Sequence, residues 1–100
     1  MWEPYENGKI ISTTGSENGI ILFDEVLSCG ARITLEQDGY TPYAITCGIY
    51  GLMVHTAFAG TEQEALEKYN SMKQNIQLFL AKETNDKENS EWCDWFANEY

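Results

Sequence analysis

Apolar residues recur at steps of three and four between positions 61 and 82, and this period is that of one face of an α-helix. The apolar positions are Ala65, Leu66, Tyr69, Met72, Ile76, Phe79 and Leu80. At the start of the pattern, Thr61 and Glu64 form a capping-box sequence, in which the hydroxyl accepts from the Glu64 amide and the carboxylate reaches back. The pattern predicts one long amphipathic helix over residues 62–82.

Upstream of this helix, short apolar and β-branched runs alternate with turns that contain glycine or aspartate, a pattern typical of β-strands. The predicted strands cover residues 9–14, 19–27, 31–36, 43–49 and 52–59. Every connection is too short for a crossover, so sequential strands should pair as antiparallel hairpins. The sequence therefore predicts a two-layer α+β fold: an antiparallel meander of four to five strands, with the long helix packed on one face.

The lengths of two predicted turns set the register of the last three strands. A two-residue turn at 50–51 and a three-residue loop at 38–40 align these strands so that one face is apolar throughout. The resulting cross-strand pairs include Ile33 with Ile45 and Cys47 with Val54. This apolar face is the one that we expect the long helix to cover.

The opposite face carries small residues and a row of three polar side chains, Arg32, Thr46 and His55. The predicted strand at 19–27 is apolar on both sides, which is typical of a strand covered on both faces. We therefore expect a second element to cover this face.

The C-terminal region divides into a polar stretch and an aromatic one. Residues 83–90 hold no apolar side chain and read as a solvated linker, whereas Ser90 is a plausible N-cap for a short helix over 91–100. Its aromatic residues fall on one side of that helix: Trp92, Trp95, Phe96 and Tyr100. The sequence thus predicts one α+β domain over 1–82, a linker and a short helix. The helix either folds over the second sheet face or docks on another chain.

The net charge of the chain excludes some classes of binding partner. The 100 residues hold 16 acidic and six basic side chains, a formal net charge of −10, with an isoelectric point near 4.3. A surface this negative repels phosphate backbones and anionic lipids, so we expect neither nucleic acid nor membrane as a partner. The longest apolar run, residues 19–23, is far too short to span a bilayer.

The number and spacing of the cysteines bear on the cellular compartment and on metal binding. Cys29, Cys47 and Cys93 are odd in number and far apart, and the N-terminus has no basic or apolar leader region, so we expect a cytoplasmic protein. A zinc site needs about four ligands at short spacings, and His55 is the one histidine. We expect no metal and no cofactor.

Three groups of residues were weighed as catalytic or binding sites. The row Arg32, Thr46 and His55 could bind an anion or move a proton, or it could be a polar patch of purely structural role. In the predicted register Cys47 and His55 point to opposite faces, which argues against a cysteine nucleophile. Carboxylate catalysis could use Asp24 with Glu25 or Glu36 with Asp38. Asp24 and Glu25 are adjacent in one strand, so those two cannot converge on one substrate atom.

These observations favour a non-enzymatic protein-interaction module that self-associates as a homodimer. The predicted interface residues are Met53, Trp92, Trp95 and Phe96. A foreign partner should be basic because the chain is acidic. In size, charge and fold class the chain is similar to bacterial toxin-immunity proteins, although no stretch matches a motif of that class. The alternative is a small-ligand-binding protein or enzyme that uses the Arg32, Thr46 and His55 face.

Overall fold

A computed structural model describes residues 1–28 and 30–100 of the chain. In these residues the elements are β1 (Trp2–Pro4), β2 (Ile20–Leu27), β3 (Ala31–Gln37), β4 (Tyr43–Ile49), β5 (Met53–Ala59), α1 (Glu62–Leu80) and α2 (Asp86–Glu99). The strands form one open antiparallel sheet in the order β1-β2-β3-β4-β5. The predicted α+β meander with a long helix and a C-terminal helix is confirmed.

Helix α1 follows its predicted pattern closely. The Thr61 hydroxyl accepts a hydrogen bond from the Glu64 amide at 3.2 Å, which caps the first turn. The helix ends at Leu80, slightly before the predicted residue 82. Its buried residues form one stripe that packs on the sheet: Ala65, Tyr69, Met72, Ile76 and Phe79. We call this side of the sheet the helix face.

The register between β3 and β4 differs from the prediction by two residues. Ile33 lies opposite Cys47 rather than Ile45. The loop is longer than predicted, since Asp38 adopts a positive φ of 60° and its amide donates to the Pro42 carbonyl at 2.9 Å. Because side chains alternate along a strand, a shift of two residues leaves every side chain on its expected face.

The register between β4 and β5 differs by one residue, and this prediction was wrong in its consequences. His55, not Val54, lies opposite Cys47. The turn contains three residues, and it is closed by the Leu52 amide, which donates to the Ile49 carbonyl at 3.0 Å. A one-residue shift exchanges the two faces of a strand, so His55 joins the helix face and Val54 joins the opposite one.

The side of the sheet opposite the helices is called here the open face. The register places these residues on it: Ile21, Asp24, Val26, Arg32, Thr34, Glu36, Ala44, Thr46, Gly48, Val54, Thr56 and Phe58. Residues 5–19 lie over part of this face, where the Tyr5 ring stacks on the Arg32 guanidinium at 3.7 Å. A second covering element is thus present, and it comes from the N-terminal end of the chain.

The N-terminal segment differs from its predicted structure. Residues 9–14 form successive turns instead of a strand, with Ser12 at a positive φ of 73°, and Thr14 alone forms a bridge to Ile20. An unpredicted short strand, β1, pairs Trp2 with Leu27. Local hydrogen bonds between turn residues satisfy the backbone groups that a strand would have paired.

Helix α2 begins earlier than predicted and packs elsewhere. The Asn85 side chain caps it and forms a capping box with Glu88, so most of the predicted linker at 83–90 is helical. Phe96 is fully buried among residues of the helix face, with its ring 5.9 Å from that of His55. The C-terminal helix therefore lies beside α1 and not over the second sheet face.

Candidate functional site

A groove of about 680 Å³ occupies the part of the open face that residues 5–19 leave uncovered. Its floor contains Thr34, Thr46 and Gly48. One wall is the N-terminal segment around residues 14–16, and the other is the β4–β5 turn with the start of β5. The groove is therefore built from regions that are far apart in the chain, the N-terminal segment and the stretch from β3 to the start of β5.

Arg32 is the charged group at the groove that is most firmly held. Its Nε and Nη2 donate to the two carboxylate oxygens of Asp24, both at 2.9 Å, and the Asp24 side chain is fully buried. The hydrogen bonds that Arg32 donates to Asp24 raise the pKa of Arg32, so the guanidinium is charged at every physiological pH. A guanidinium has five N–H donors, and this fork uses two of them. The remaining donors supply hydrogen-bonding capacity at the lining of the groove.

Tyr5 fixes the plane of this guanidinium. Its ring centre lies 3.7 Å from the Arg32 Cζ, a stacked cation–π contact. Because Asp24 and Tyr5 together hold the side chain, Arg32 loses little conformational entropy when a ligand binds. Sequence reasoning missed the role of Tyr5, since the residue lies far from β3 in the chain and in no periodic pattern.

A row of threonines crosses the open face, and two of them, Thr34 and Thr46, lie on the floor of the groove. Thr34, Thr46 and Thr56 lie opposite one another on β3, β4 and β5. The Thr46 and Thr56 hydroxyl oxygens are 3.2 Å apart, and the Thr34 hydroxyl donates to the Thr46 carbonyl at 3.5 Å. This row replaces the predicted row of Arg32, Thr46 and His55.

The structure brings two of the three predicted site residues into the groove. Arg32 and Thr46 both line it, although Arg32 lies opposite Gly48 and not opposite Thr46. His55 is on the helix face against Phe96, and its Nε2 is buried with no hydrogen-bond partner among the described residues. The prediction that His55 shares a face with the other two was wrong because of the longer β4–β5 turn.

Glu36, which the sequence offers with Asp38 as a second pair of carboxylates, is buried. Its carboxylate accepts hydrogen bonds from the Gly19 amide at 3.0 Å and from the Glu17 amide at 3.2 Å. A Cβ at Gly15 would overlap this carboxylate, so a glycine is required there. These contacts attach the N-terminal segment to β3 and shape one end of the groove. The glycines at 15 and 19 were the one sequence feature that could have pointed to it.

The cysteines offer no activated thiol in the described part of the chain. Cys47 is buried on the helix face, and burial raises its pKa to about 12. The pKa of Cys93 is also raised, by burial and then by the charge of Asp94. A thiol with a raised pKa is a poor nucleophile at neutral pH. Cys29 lies outside the described residues.

The acidic residues weighed for catalysis are bound to partners on opposite faces. Asp24 pairs with Arg32 on the open face, whereas Glu25 on the helix face accepts from the Tyr69 hydroxyl at 2.6 Å and from Lys73 at 2.8 Å. Desolvation and the bond to Glu25 raise the pKa of Tyr69. Among residues 1–28 and 30–100, no group of three or more His, Cys, Asp or Glu side chains is placed to hold a metal ion.

The predicted interface residues have unequal access to solvent. Phe96 is buried within its own chain, and Trp92 stacks on Phe79 with the ring centres 4.1 Å apart. Met53 packs partly against the core, which leaves Trp95, 45% exposed, as the most accessible of the predicted set. Phe96 is therefore a core residue and not an interface residue of the folded chain.

Comparison with protein-family models, curated proteins and solved structures finds no significant match to the chain. Within the described residues, neither helix combines the length and apolar character that crossing a membrane requires.

Proposed function

We propose that this chain is a non-enzymatic binding protein whose groove holds a small amphipathic ligand with a hydrogen-bond-accepting head. The observation that carries the proposal is the groove itself, about 680 Å³ in volume, with the preorganised Arg32 at its lining. Small-molecule sites have volumes of roughly 300–1,000 Å³ and combine apolar walls with a few fixed polar groups.

Arg32 determines the chemistry of the polar end of the ligand. Asp24 neutralises much of the guanidinium charge, so the free N–H groups act mainly as directed donors. A single carboxylate or a carbonyl oxygen suits such donors. The net charge of −10 disfavours a ligand with several negative charges, because the whole surface repels it.

The walls of the groove determine the chemistry of the apolar end of the ligand. Apolar side chains line the groove from the N-terminal segment, from β2 and from the β4–β5 turn with the start of β5. They are Ile10, Ile21, Leu52 and Val54. Gly48 leaves the floor without a side chain, and the threonine hydroxyls of the floor bond to one another and to the backbone. An aromatic or short aliphatic body fits this surface.

The non-enzymatic assignment follows from the ionisable groups at the groove. Glu36 is occupied by backbone amides, and Arg32 is held charged by Asp24. Cys47 contributes to the lining, but its side chain belongs to the helix face and its thiol pKa is raised. A general base or nucleophile must be free to accept a proton or attack a substrate. None of these three groups meets that requirement, and no free base among the described lining residues could activate the Tyr50 phenol, the fourth ionisable group.

Binding is tested with three probes that share one body and differ in the head group: 4-phenylbutanoate, 4-phenylbutanol and 4-phenylbutylamine. We expect the carboxylate to bind best and the amine worst, with amide NMR shifts centred on residues 46–54. The matched variants are Gly48→Val, which fills the floor, and Gly60→Val, outside the groove. A Cβ fits at Gly48 at an ordinary 3.7 Å from the Val54 side chain, and Gly60 has open space.

The expected result is that Gly48→Val weakens carboxylate binding at least tenfold and Gly60→Val leaves it unchanged. Equal binding to both variants, or shifts centred on the helices, would contradict the proposal. Thermal unfolding of each variant without probe serves as the folding control.

A second candidate function, a protein-interaction module, is favoured by the exposed apolar side chains of β5. Val54 and Phe58 are 78% and 48% exposed on the open face. We propose that a foreign partner, if one binds there, is basic, and that the protein acts in the reducing cytoplasm. Electrostatic steering would then make the association rate fall as salt rises from ~0.05 to ~0.5 M, since the Debye length shrinks from roughly 14 to 4 Å.

A further inference from the structure

The two edges of the sheet are protected to very different degrees. Edge strand β1 has three residues, and two of them, Glu3 and Pro4, are types that discourage strand pairing. Edge strand β5 has seven residues, Met53–Ala59, without a lysine, arginine, aspartate, glutamate or proline. A long, uncharged edge strand is a template for pairing with another strand.

The free backbone groups of β5 can be assigned from the hairpin. Antiparallel pairs alternate between hydrogen-bonded and non-hydrogen-bonded, and the pair Ile49–Met53 closes the turn. The backbone groups of Val54, Thr56 and Phe58 therefore point away from β4. Lys68 supports this assignment, since its Nζ donates to the Phe58 carbonyl oxygen at 2.8 Å from outside the β4–β5 ladder.

We propose that β5 pairs with β5 of a second copy of this chain, antiparallel, with the two-fold axis at Thr56. In that register Thr56 faces Thr56 of the second copy, and Val54 faces the second copy's Phe58 on each side. The pairing forms about six backbone hydrogen bonds between the copies. It joins the two sheets into one.

Self-complementarity identifies the second copy as the occupant. Val54 and Phe58 are the exposed apolar residues of β5 and lie at equal distances from Thr56. A two-fold axis at Thr56 covers both of them with each other. An axis at Val54 or Phe58 leaves the other of these two side chains without its apolar partner. An axis at His55 or Ala57 sets one of them opposite Thr56, so the register centred on Thr56 is the one that pairs both apolar residues with each other.

Lys68 weakens this pairing without preventing it. In the dimer the Val54 amide of the second copy donates a hydrogen bond to the Phe58 carbonyl oxygen. The hydrogen bond from the Lys68 Nζ to that oxygen is then lost. It keeps its ion pair with Glu64, at 3.3 Å on the same helix. Lysine at a strand edge is a common means of limiting self-association, so removing the Lys68 ammonium should strengthen the dimer.

Sedimentation equilibrium on the full chain tests the proposal. We expect a dimer with a dissociation constant of ~10 µM, a value typical of modest interfaces. Val54→Lys should weaken it at least tenfold, and Lys68→Ala should strengthen it severalfold. Tyr40→Lys is the matched control, because Tyr40 is 77% exposed in a loop outside β5. Circular dichroism confirms that each variant is folded.

Cysteine cross-linking tests the register in a background of Cys29→Ser, Cys47→Ala and Cys93→Ser. Thr56→Cys should form a disulfide between copies, because facing Cα atoms lie about 5.5 Å apart, within disulfide reach. Val54→Cys should not cross-link to itself, since the two positions are about 13 Å apart in this register.

Three results would overturn the proposal. They are a monomer at ~0.5 mM, a dimer that Val54→Lys leaves intact, and cross-linking of Val54→Cys as fast as that of Thr56→Cys. A dimer lost only when α2 is altered would assign the interface to Trp95 and its neighbours instead. Because Val54 also lines the groove, probe binding is measured on the chain with Val54 unchanged. A dimer that binds no probe, or a monomer that binds it, separates the failure of one proposal from the failure of the other.

Discussion

The two faces of this sheet are covered by different means. On the helix face, α1 and α2 bury apolar side chains, and Ile33, Ile45 and Ile76 have no exposed surface. On the open face, an irregular segment is attached by backbone hydrogen bonds to the buried Glu36 carboxylate and by the Tyr5 ring, which stacks on the Arg32 guanidinium. Burial of apolar side chains stabilises the helix face, whereas hydrogen-bonded polar groups hold the covering segment on the open face. The groove of about 680 Å³ lies on the open face.

The two kinds of contact differ in how much stability is lost when one side chain is removed. An apolar side chain contributes about 1.5–3 kcal/mol when it is buried, and the loss of one is partly absorbed by its neighbours. A buried ion pair contributes little net stability, but removing one partner leaves an uncompensated charge that costs about 3–5 kcal/mol. The open face should therefore tolerate paired changes and not single ones.

The largest effect is expected from a charge placed at the centre of the helix face. Ile76→Asp puts a carboxylate at a fully buried position between α1 and the sheet, and the chain should fail to fold. Leu78→Asp is the matched control, since Leu78 lies on the same helix and is 55% exposed. Circular dichroism and thermal unfolding measure both. Near-native stability of Ile76→Asp would show that the helix face is not the principal core.

A smaller effect is expected from breaking the ion pair of the open face. Arg32→Met leaves the buried Asp24 carboxylate without its partner and should lower the free energy of unfolding by about 3–5 kcal/mol. The double change Arg32→Met with Asp24→Leu should recover more than half of that loss. Urea unfolding measures both. If the double variant is as unstable as the sum of the two single variants, the two side chains are not energetically coupled, which would contradict this account of the ion pair.

The smallest effect is a loss of stability at alkaline pH, and it should arise on the helix face. Burial raises the pKa of Cys47 from 9.0 to about 12 and also raises that of Tyr69. Both groups are neutral in the folded chain, while the unfolded chain releases their protons. The free energy of unfolding should therefore be constant below pH 9 and fall above it, by about 1.4 kcal/mol per pH unit for each group.

Urea unfolding at pH 7 to 10.5 measures this slope. Cys47→Ala should flatten the curve between pH 9 and 10, where Tyr69 does not yet contribute, and Cys93→Ser should change it less because Cys93 is only partly buried. An unchanged slope in Cys47→Ala would mean that the thiol is not buried as described.

The sequence by itself determined the parts of the fold that depend on local interactions. Helix α1 has its period and its Thr61 cap within 20 consecutive residues, and both are present in the structure. The antiparallel meander followed from connections too short to cross over. Arg32 and Thr46 were placed on the same face because the alternation of side chains survives a register error of two residues.

Tertiary structure alone decided what depends on a single residue of register or on distant contacts. One additional turn residue, Leu52, moved His55 to the helix face, since the side-chain period of a strand is two. Residues 5–19 have no period, and their position comes from Tyr5 on Arg32 and from backbone amides on Glu36. Helix α2 carries an aromatic stripe that would suit any apolar surface, and packing against Phe79 decided which one it covers.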